Sequence, residues 1–195
     1  MEDEHQLWNR KYKAGSHTSL KLDPFFAQAY REFIAPMFPR RGKALDIAGG
    51  IGRHTLWLAK HGWQVTLVDI SETGISLARS AARRARVGDK IEFVIEDLKN
   101  FVLGRNRFDL ILVFFYLERA LFPALISALK PGGALLYKTY TWEQPKFGRG
   151  PRHPLYLLKP NELLHAFRKL RVLYYRETAR KRAVAEFVGM KTARR

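Results

Sequence analysis

Cysteine is absent from all 195 residues, so disulfides, thiolate metal centres and a thiol nucleophile are excluded. Acidic residues are scarce: 18 Asp and Glu stand against 35 Lys and Arg, a formal charge of +17. No apolar run reaches the roughly 18 residues that a membrane-spanning helix needs. The start, Met1-Glu-Asp-Glu-His5, has neither the basic segment nor the apolar stretch of a secretion signal. The expectation is a protein of the cytoplasm with no membrane partner. His, Asp and Glu never fall at a metal-ligand spacing, so no metal is expected, and no internal repeat is visible.

What is present suits one α/β domain. With 47% hydrophobic residues the chain can bury a full core, but it is too short to add a separate substrate domain. A single domain over 1–195 is expected. The charge is uneven: residues 138–195 hold 15 Lys and Arg against 4 Asp and Glu. Such a skew attracts polyanions such as RNA, or simply solvates a surface.

The stretch from Ala44 to Ala59 organises the rest. Ala44–Ile47 is an apolar run fit for a buried parallel strand, glycines follow at 49, 50 and 52, and an apolar-rich helical pattern runs on to Leu58. Glycine there lets backbone N–H groups and a helix N-terminus approach a ligand. Asp46 lies near the end of that strand and Asp69 ends the next, Val65–Asp69. Ligands of open α/β sheets bind beyond the carboxyl ends of strands, where an acid about 20 residues past the glycines takes ribose hydroxyls. A dinucleotide fingerprint needs a third glycine where Thr55 stands, which weakens that reading.

The remaining chain alternates in the same way. Asp23 and Pro24 read as N-cap and first residue of a helix carrying Phe25, Phe26, Ala29, Tyr30, Phe33 and Ile34. Ser71 caps a helix through Ala85, and Lys90–Asp97 is a third strand. Arg107–Tyr116 is nearly all apolar, as a central parallel strand should be. A helix over Glu118–Leu129, a Lys130-Pro-Gly-Gly133 turn and a strand over Ala134–Tyr140 come next. Trp142–Leu158 is a long Pro-, Gly- and Arg-rich loop. A helix over Asn161–Phe167 and two strands, Arg171–Arg176 and Ala183–Met190, lead to a frayed tail at 192–195. Trp8 and Tyr12, four residues apart, are core packing or an aromatic lid.

The sequence Asp46-x-Ala48-x-Gly50-x-Gly52 followed by Val68-Asp-Ile-Ser71 resembles the S-adenosylmethionine (SAM) loop of class I methyltransferases, with Ala48 in place of the usual first glycine. Within that class, Trp8-Asn-Arg-Lys-Tyr12, Gly52-Arg53, Tyr137–Thr141, Phe147–Arg152 and Leu158–Leu163 resemble the bacterial tellurite-resistance, thiopurine-methyltransferase-like branch. The resemblance implies an α/β, three-layer Rossmann-like methyltransferase fold, a mostly parallel seven-stranded sheet with a C-terminal antiparallel hairpin. Residues 1–40 would be an N-terminal helical cap or lid, 41–140 the SAM-binding core, and 141–195 the substrate-side loop and C-terminal hairpin. It implies SAM as cofactor and S-adenosylhomocysteine (SAH) as product. Asp46 and the backbone of Ala48, Gly49, Gly50 and Gly52 would hold the methionine end, Asp69 the ribose, Ile70 the adenine face, and Asp97 with Leu98 the adenine edge. Val113 and Phe114 would complete the pocket, covered by Trp8 and Tyr12.

Methyl transfer from a sulfonium asks little of the protein when the acceptor is a soft nucleophile such as a thiol or a chalcogen oxyanion. A hydroxyl or a protonated amine would need a base, for which His17, His54 and His153 are the candidates, with Tyr116 and Arg119 on the substrate side. The Asn/Asp-Pro-Pro-aromatic signature of exocyclic-amine methylation is replaced by Val113-Phe-Phe-Tyr116. The leading expectation is a small-molecule methyltransferase acting on a thiol or an oxyanion such as tellurite or selenite. The alternatives are an RNA methyltransferase using the basic C-terminal third and a SAM-binding regulator without catalysis.

Overall fold

Apolar runs become strands and amphipathic runs become helices through most of the chain, in a computed structural model that describes residues 3–193. Arg194 and Arg195, half of the expected frayed tail, lie outside the described residues. The chain divides into two compact units, 1–102 and 103–195.

The first unit opens with helices α1 (Glu4–Lys13), α2 (Pro24–Ala29) and α3 (Ala35–Met37). Asp3 caps α1 and Asp23 caps α2, each accepting from the backbone N–H two residues on. Between α2 and α3 the chain makes a π-helical turn, Tyr30–Ile34. Pro36 explains it: proline has no N–H to donate and its ring crowds the preceding turn, so the helix widens there instead of continuing regularly. Strands β1 (Lys43–Ile47), β2 (Gln64–Asp69) and β3 (Ile91–Ile95) then pair in parallel, with β2 in the middle. Helix α4 (Arg53–Lys60) connects the first two strands and α5 (Glu72–Arg84) the next two. Ser71 Oγ accepts from Gly74 N–H and so caps α5 as its position predicts.

The second unit contains β4 (Phe108–Phe114), α6 (Phe122–Ala128), β5 (Leu129–Tyr140), α7 (Glu162–Ala166), β6 (Arg171–Ala179) and β7 (Ala183–Met190). β4 and β5 are parallel, whereas β7 lies antiparallel between β5 and β6. Two expectations shift here. Arg119–Leu121 forms a 3-10 turn before α6, and Lys130–Gly133 is part of β5. Phe108 pairs with Leu129 but Leu110 pairs with Ala134, so Lys130–Gly133 bulges out of the ladder, with Gly132 at φ +80°. The seven strands run in the order β3-β2-β1-β4-β5-β7-β6, the mostly parallel sheet with a C-terminal antiparallel hairpin expected from the sequence.

A buried charge cluster ties β5, β6 and β7. Lys138 Nζ lies 3.0 Å from Glu186 Oε1, and the Arg176 guanidinium donates to Glu186 Oε2 at 2.7 and 3.1 Å. Lys138 and Glu186 are both buried, so each depends on its partner to offset lost hydration. Glu186→Ala is therefore expected to cost about 3–5 kcal/mol in urea unfolding, the range for removing one partner of a buried ion pair. A loss below about 1 kcal/mol would show that Lys138 reaches water without Glu186.

Candidate functional site

The turn from β1 into α4 is shaped by three positive φ angles at alternate positions, Ala48 (+50°), Gly50 (+58°) and Gly52 (+74°). Alternation of this kind folds the turn tightly on itself, and its N–H groups are spread over several acceptors: Gly49 N–H donates to the Val68 carbonyl at 3.4 Å, Gly50 N–H to Asp69 Oδ2 at 2.8 Å and Gly52 N–H to the Gly49 carbonyl at 2.9 Å. Alanine at φ +50° is strained by about 1 kcal/mol, a cost that the usual glycine would avoid. The approach is close as well as strained. A Cβ on Gly49 would stand 2.8 Å from the Asp46 carboxylate, and one on Gly50 would run into the Tyr12 hydroxyl.

Asp46 is buried beneath this turn. Its Oδ2 accepts from Thr55 Oγ1 at 2.7 Å, whereas Oδ1 is buried with no hydrogen-bond partner. Burial pushes its pKa up to about 6, against the lowering effects of the Thr55 hydroxyl and Arg53. A buried acceptor without a donor costs free energy unless something supplies one. Asp69 is buried too, but both its oxygens are used: Oδ2 accepts from Gly50 N–H at 2.8 Å and Oδ1 from Ser71 N–H at 2.9 Å. Burial raises its pKa and these two bonds oppose the rise. Asp69 thus pins the glycine turn to the start of α5.

Helix α1 closes over the same place. The Tyr12 ring packs against Gly50 and Gly74, and Asn9 Oδ1 accepts from Ser71 Oγ at 2.6 Å and Thr73 N–H at 3.1 Å. Trp8 stacks obliquely on Tyr12, with ring centroids 5.7 Å apart. Asn9, Thr55 and Gly74 were not among the expected site residues. A lone glycine within the α5 pattern was the available signal for Gly74, since it marks a close approach.

Among the other expected residues, Ile70 is half-buried just after β2, and Asp97, half-buried after β3, accepts from Lys99 N–H at 3.0 Å beside buried Leu98. In the second unit Val113 and Phe114 close β4, both buried. The Tyr116 carbonyl accepts from Tyr137 Oη at 3.0 Å. Arg119 is held by four hydrogen bonds: it donates to Glu162 at 2.6 and 3.0 Å and to the carbonyls of Leu155 and Leu157 at 3.0 and 2.9 Å. His17 stands edge-on to Trp8, His54 is buried and stacked on Phe26, and His153 accepts from Leu155 N–H at the head of a 3-10 turn. Among the described residues no group of three or more His, Asp or Glu gathers to hold a metal ion, and no helix is long and apolar enough to cross a membrane.

Comparison with known proteins meets this geometry at the same segment. Residues 44–133 match the family model of a methyltransferase domain. The tRNA 5-carboxymethoxyuridine methyltransferase of Escherichia coli (strain K12) is 33% identical over 115 residues, which cover 55% of this chain and 43% of that protein. This chain thus spans less than half the length of that curated relative. TehB from Haemophilus influenzae superposes with a TM-score of 0.73 at 16% identity over 94% of this chain and 67% of that one. Geranyl diphosphate C-methyltransferase from Streptomyces coelicolor A3(2), solved with SAH, gives 0.66 at 15% identity over 86% and 77%. Residues 44–133 thus resemble a methyltransferase domain, and the seven-stranded α/β fold is one shared with solved methyltransferases.

The buried acids make stability depend on pH. A folded pKa of about 6 at Asp46 lies above its ordinary 3.8, so the folded chain keeps a proton that the unfolded chain releases. This contribution is present in acid and is lost as pH rises from about 4 to about 6. Asp46→Asn keeps an acceptor for Thr55 and carries no charge. It should therefore gain on wild type by on the order of 3 kcal/mol between pH 4 and pH 8. Parallel stability curves for the two proteins over that range would place Asp46 in a hydrated setting.

Proposed function

We propose that this chain, acting as one methyltransferase domain of the cytoplasm, transfers a methyl group from SAM to a small-molecule acceptor. The observation that carries the reading is the unpartnered Asp46 Oδ1, buried beneath the glycine turn. Such an acceptor suits the ammonium of a ligand such as the methionine end of SAM. Asp46 would take the ammonium and the backbone of 48–52 the carboxylate. Asp69 would meet the ribose, Ile70 the adenine face, and Asp97 with Leu98 the adenine edge, with Val113 and Phe114 lining the remainder. Trp8 and Tyr12 would exclude water from the site.

SAM supplies the sulfonium-activated methyl group. The chain's own residues then have to bind, orient and dehydrate, which suffices for a thiol or a chalcogen oxyanion. That chemistry agrees with the resemblance to the tellurite-resistance branch. His17, Tyr116 and Arg119 remain candidates for the acceptor side, and of these Arg119 already spends its donors on Glu162 and the 155–157 backbone. RNA methylation is the second reading, favoured by the 19 Lys and Arg against 6 Asp and Glu in residues 103–195. The relative named for a tRNA modification is a further support.

Two measurements test the proposal. Asp69→Ala should weaken SAM binding in calorimetry by about 1.5–3 kcal/mol, and Asp69→Asn should weaken it less, since the amide keeps one acceptor. Unchanged affinity in both would remove Asp69 from the site. Formation of SAH should then be followed over thiols, selenite, tellurite and bulk RNA, with and without EDTA. Turnover on a thiol or oxyanion that survives EDTA is the expected result. SAM binding with no turnover on any acceptor would leave the regulator reading in its place.

A further inference from the structure

The loop between β5 and α7 is long, yet it is built rather than slack. Thr141 pairs with Leu158, and Trp142 N–H donates to the Leu158 carbonyl at 2.9 Å. Gln144, buried, donates to the Arg149 carbonyl at 2.6 Å and accepts from Ala183 N–H at 2.8 Å. Arg119 holds the carbonyls of Leu155 and Leu157. A loop fastened at so many points presents a fixed surface. Because Ala183 begins β7, the Gln144 bond also joins the loop to the basic turn Arg180-Lys181-Arg182.

This anchored loop turns large apolar groups outward. Trp142 is 53% exposed, Leu155 61% and Tyr156 41%. Cations lie between Trp142 and Leu155 in the chain and again in the turn: Lys146, Arg149 and Arg152 in the loop and Arg180, Lys181 and Arg182 in the turn are all exposed. Over residues 142–156 and 180–182 the sole acid is Glu143, which pairs with Lys146 at 2.8 Å. The Lys146 ammonium also stands 5.3 Å from the Trp142 ring centre, and the Arg182 guanidinium 5.6 Å from that of Phe115. Phe115 is itself strained, at φ +59°.

We propose that this surface, Trp142 and Tyr156 with the cations of 146–152 and 180–182, binds single-stranded RNA. Unpaired bases stack on exposed rings at little cost in sequence preference, while phosphates follow the cations between them. Rings set at the two ends of a run of cations suit such a strand better than a bilayer, which would favour apolar side chains gathered in one wedge above a basic rim. The proposal concerns binding alone and stands whether or not RNA receives the methyl group.

The test uses the full chain and a labelled 12-nucleotide RNA of mixed sequence, followed by fluorescence anisotropy from 0.05 to 0.2 M salt. Its duplex form, polyphosphate and vesicles of phosphatidylglycerol are the competitors. The single strand should bind best. Trp142→Ala with Tyr156→Ala should weaken it about tenfold with the salt slope unchanged. Arg149→Gln with Arg152→Gln should instead flatten the slope by about one to two. SAH affinity, measured in parallel, should be unchanged in both variants, which separates failure of this surface from failure of the cofactor site. Equal competition by duplex or polyphosphate, indifference to loss of the rings, or a preference for vesicles would each overturn the proposal.

Discussion

Two backbone N–H groups, those of Gly50 and Ser71, share the buried carboxylate of Asp69, and the geometry of the glycine turn depends on that sharing. One oxygen fixes the turn after β1 and the other fixes the entry to α5, so a single side chain sets the spacing of two helix starts. A carboxylate does this better than a neutral group because both oxygens accept and neither donates. Burial works against the charge and the two bonds work for it, so the acid is held between opposing effects. Helix α1 is fastened to the same junction through Asn9, which accepts from Ser71 Oγ and Thr73 N–H.

The two acids differ in what the protein gives them. Asp69 is satisfied by backbone, whereas Asp46 has one satisfied oxygen and one buried oxygen without a donor. The first is the signature of a structural support and the second of a site that a ligand completes. Ala48 adds to the contrast. Its positive φ is a local cost retained in a turn that passes close over the Asp46 carboxylate.

Much of this was legible in the sequence, and what was not has identifiable causes. The continuous apolar runs gave away β1, β2 and β4, and Asp23-Pro24 and Ser71 marked helix starts where the structure has them. The resemblance of the glycine turn to a SAM loop led to the sheet order. A helical cap was expected over residues 1–40, but the bounds of α1 were not legible, because only Tyr12 of its ten residues is buried and no apolar period marks them. The π-helical turn arises where Pro36 meets an otherwise helical run, a compromise that local pattern does not encode. Lys130-Pro-Gly-Gly133 reads as a turn and is a bulge, because its pairing is decided by Phe108 and Leu110 more than twenty residues earlier. That Asp69 serves the backbone on both oxygens, and that Gln144 ties a loop to a distant turn, are tertiary facts with no sequence period at all.

The raised pKa of Asp46 has a calorimetric consequence. The cationic group proposed for Oδ1 would favour the ionised carboxylate, so near pH 6 the fraction of the acid still protonated, about half, would lose its proton as the ligand enters. The buffer takes up that proton and adds its own heat of protonation to the measured enthalpy. Binding heats taken in phosphate and in an amine buffer at that pH would then differ by a fixed amount per proton released. Above pH 8 the difference would vanish, leaving the intrinsic enthalpy of closing the site.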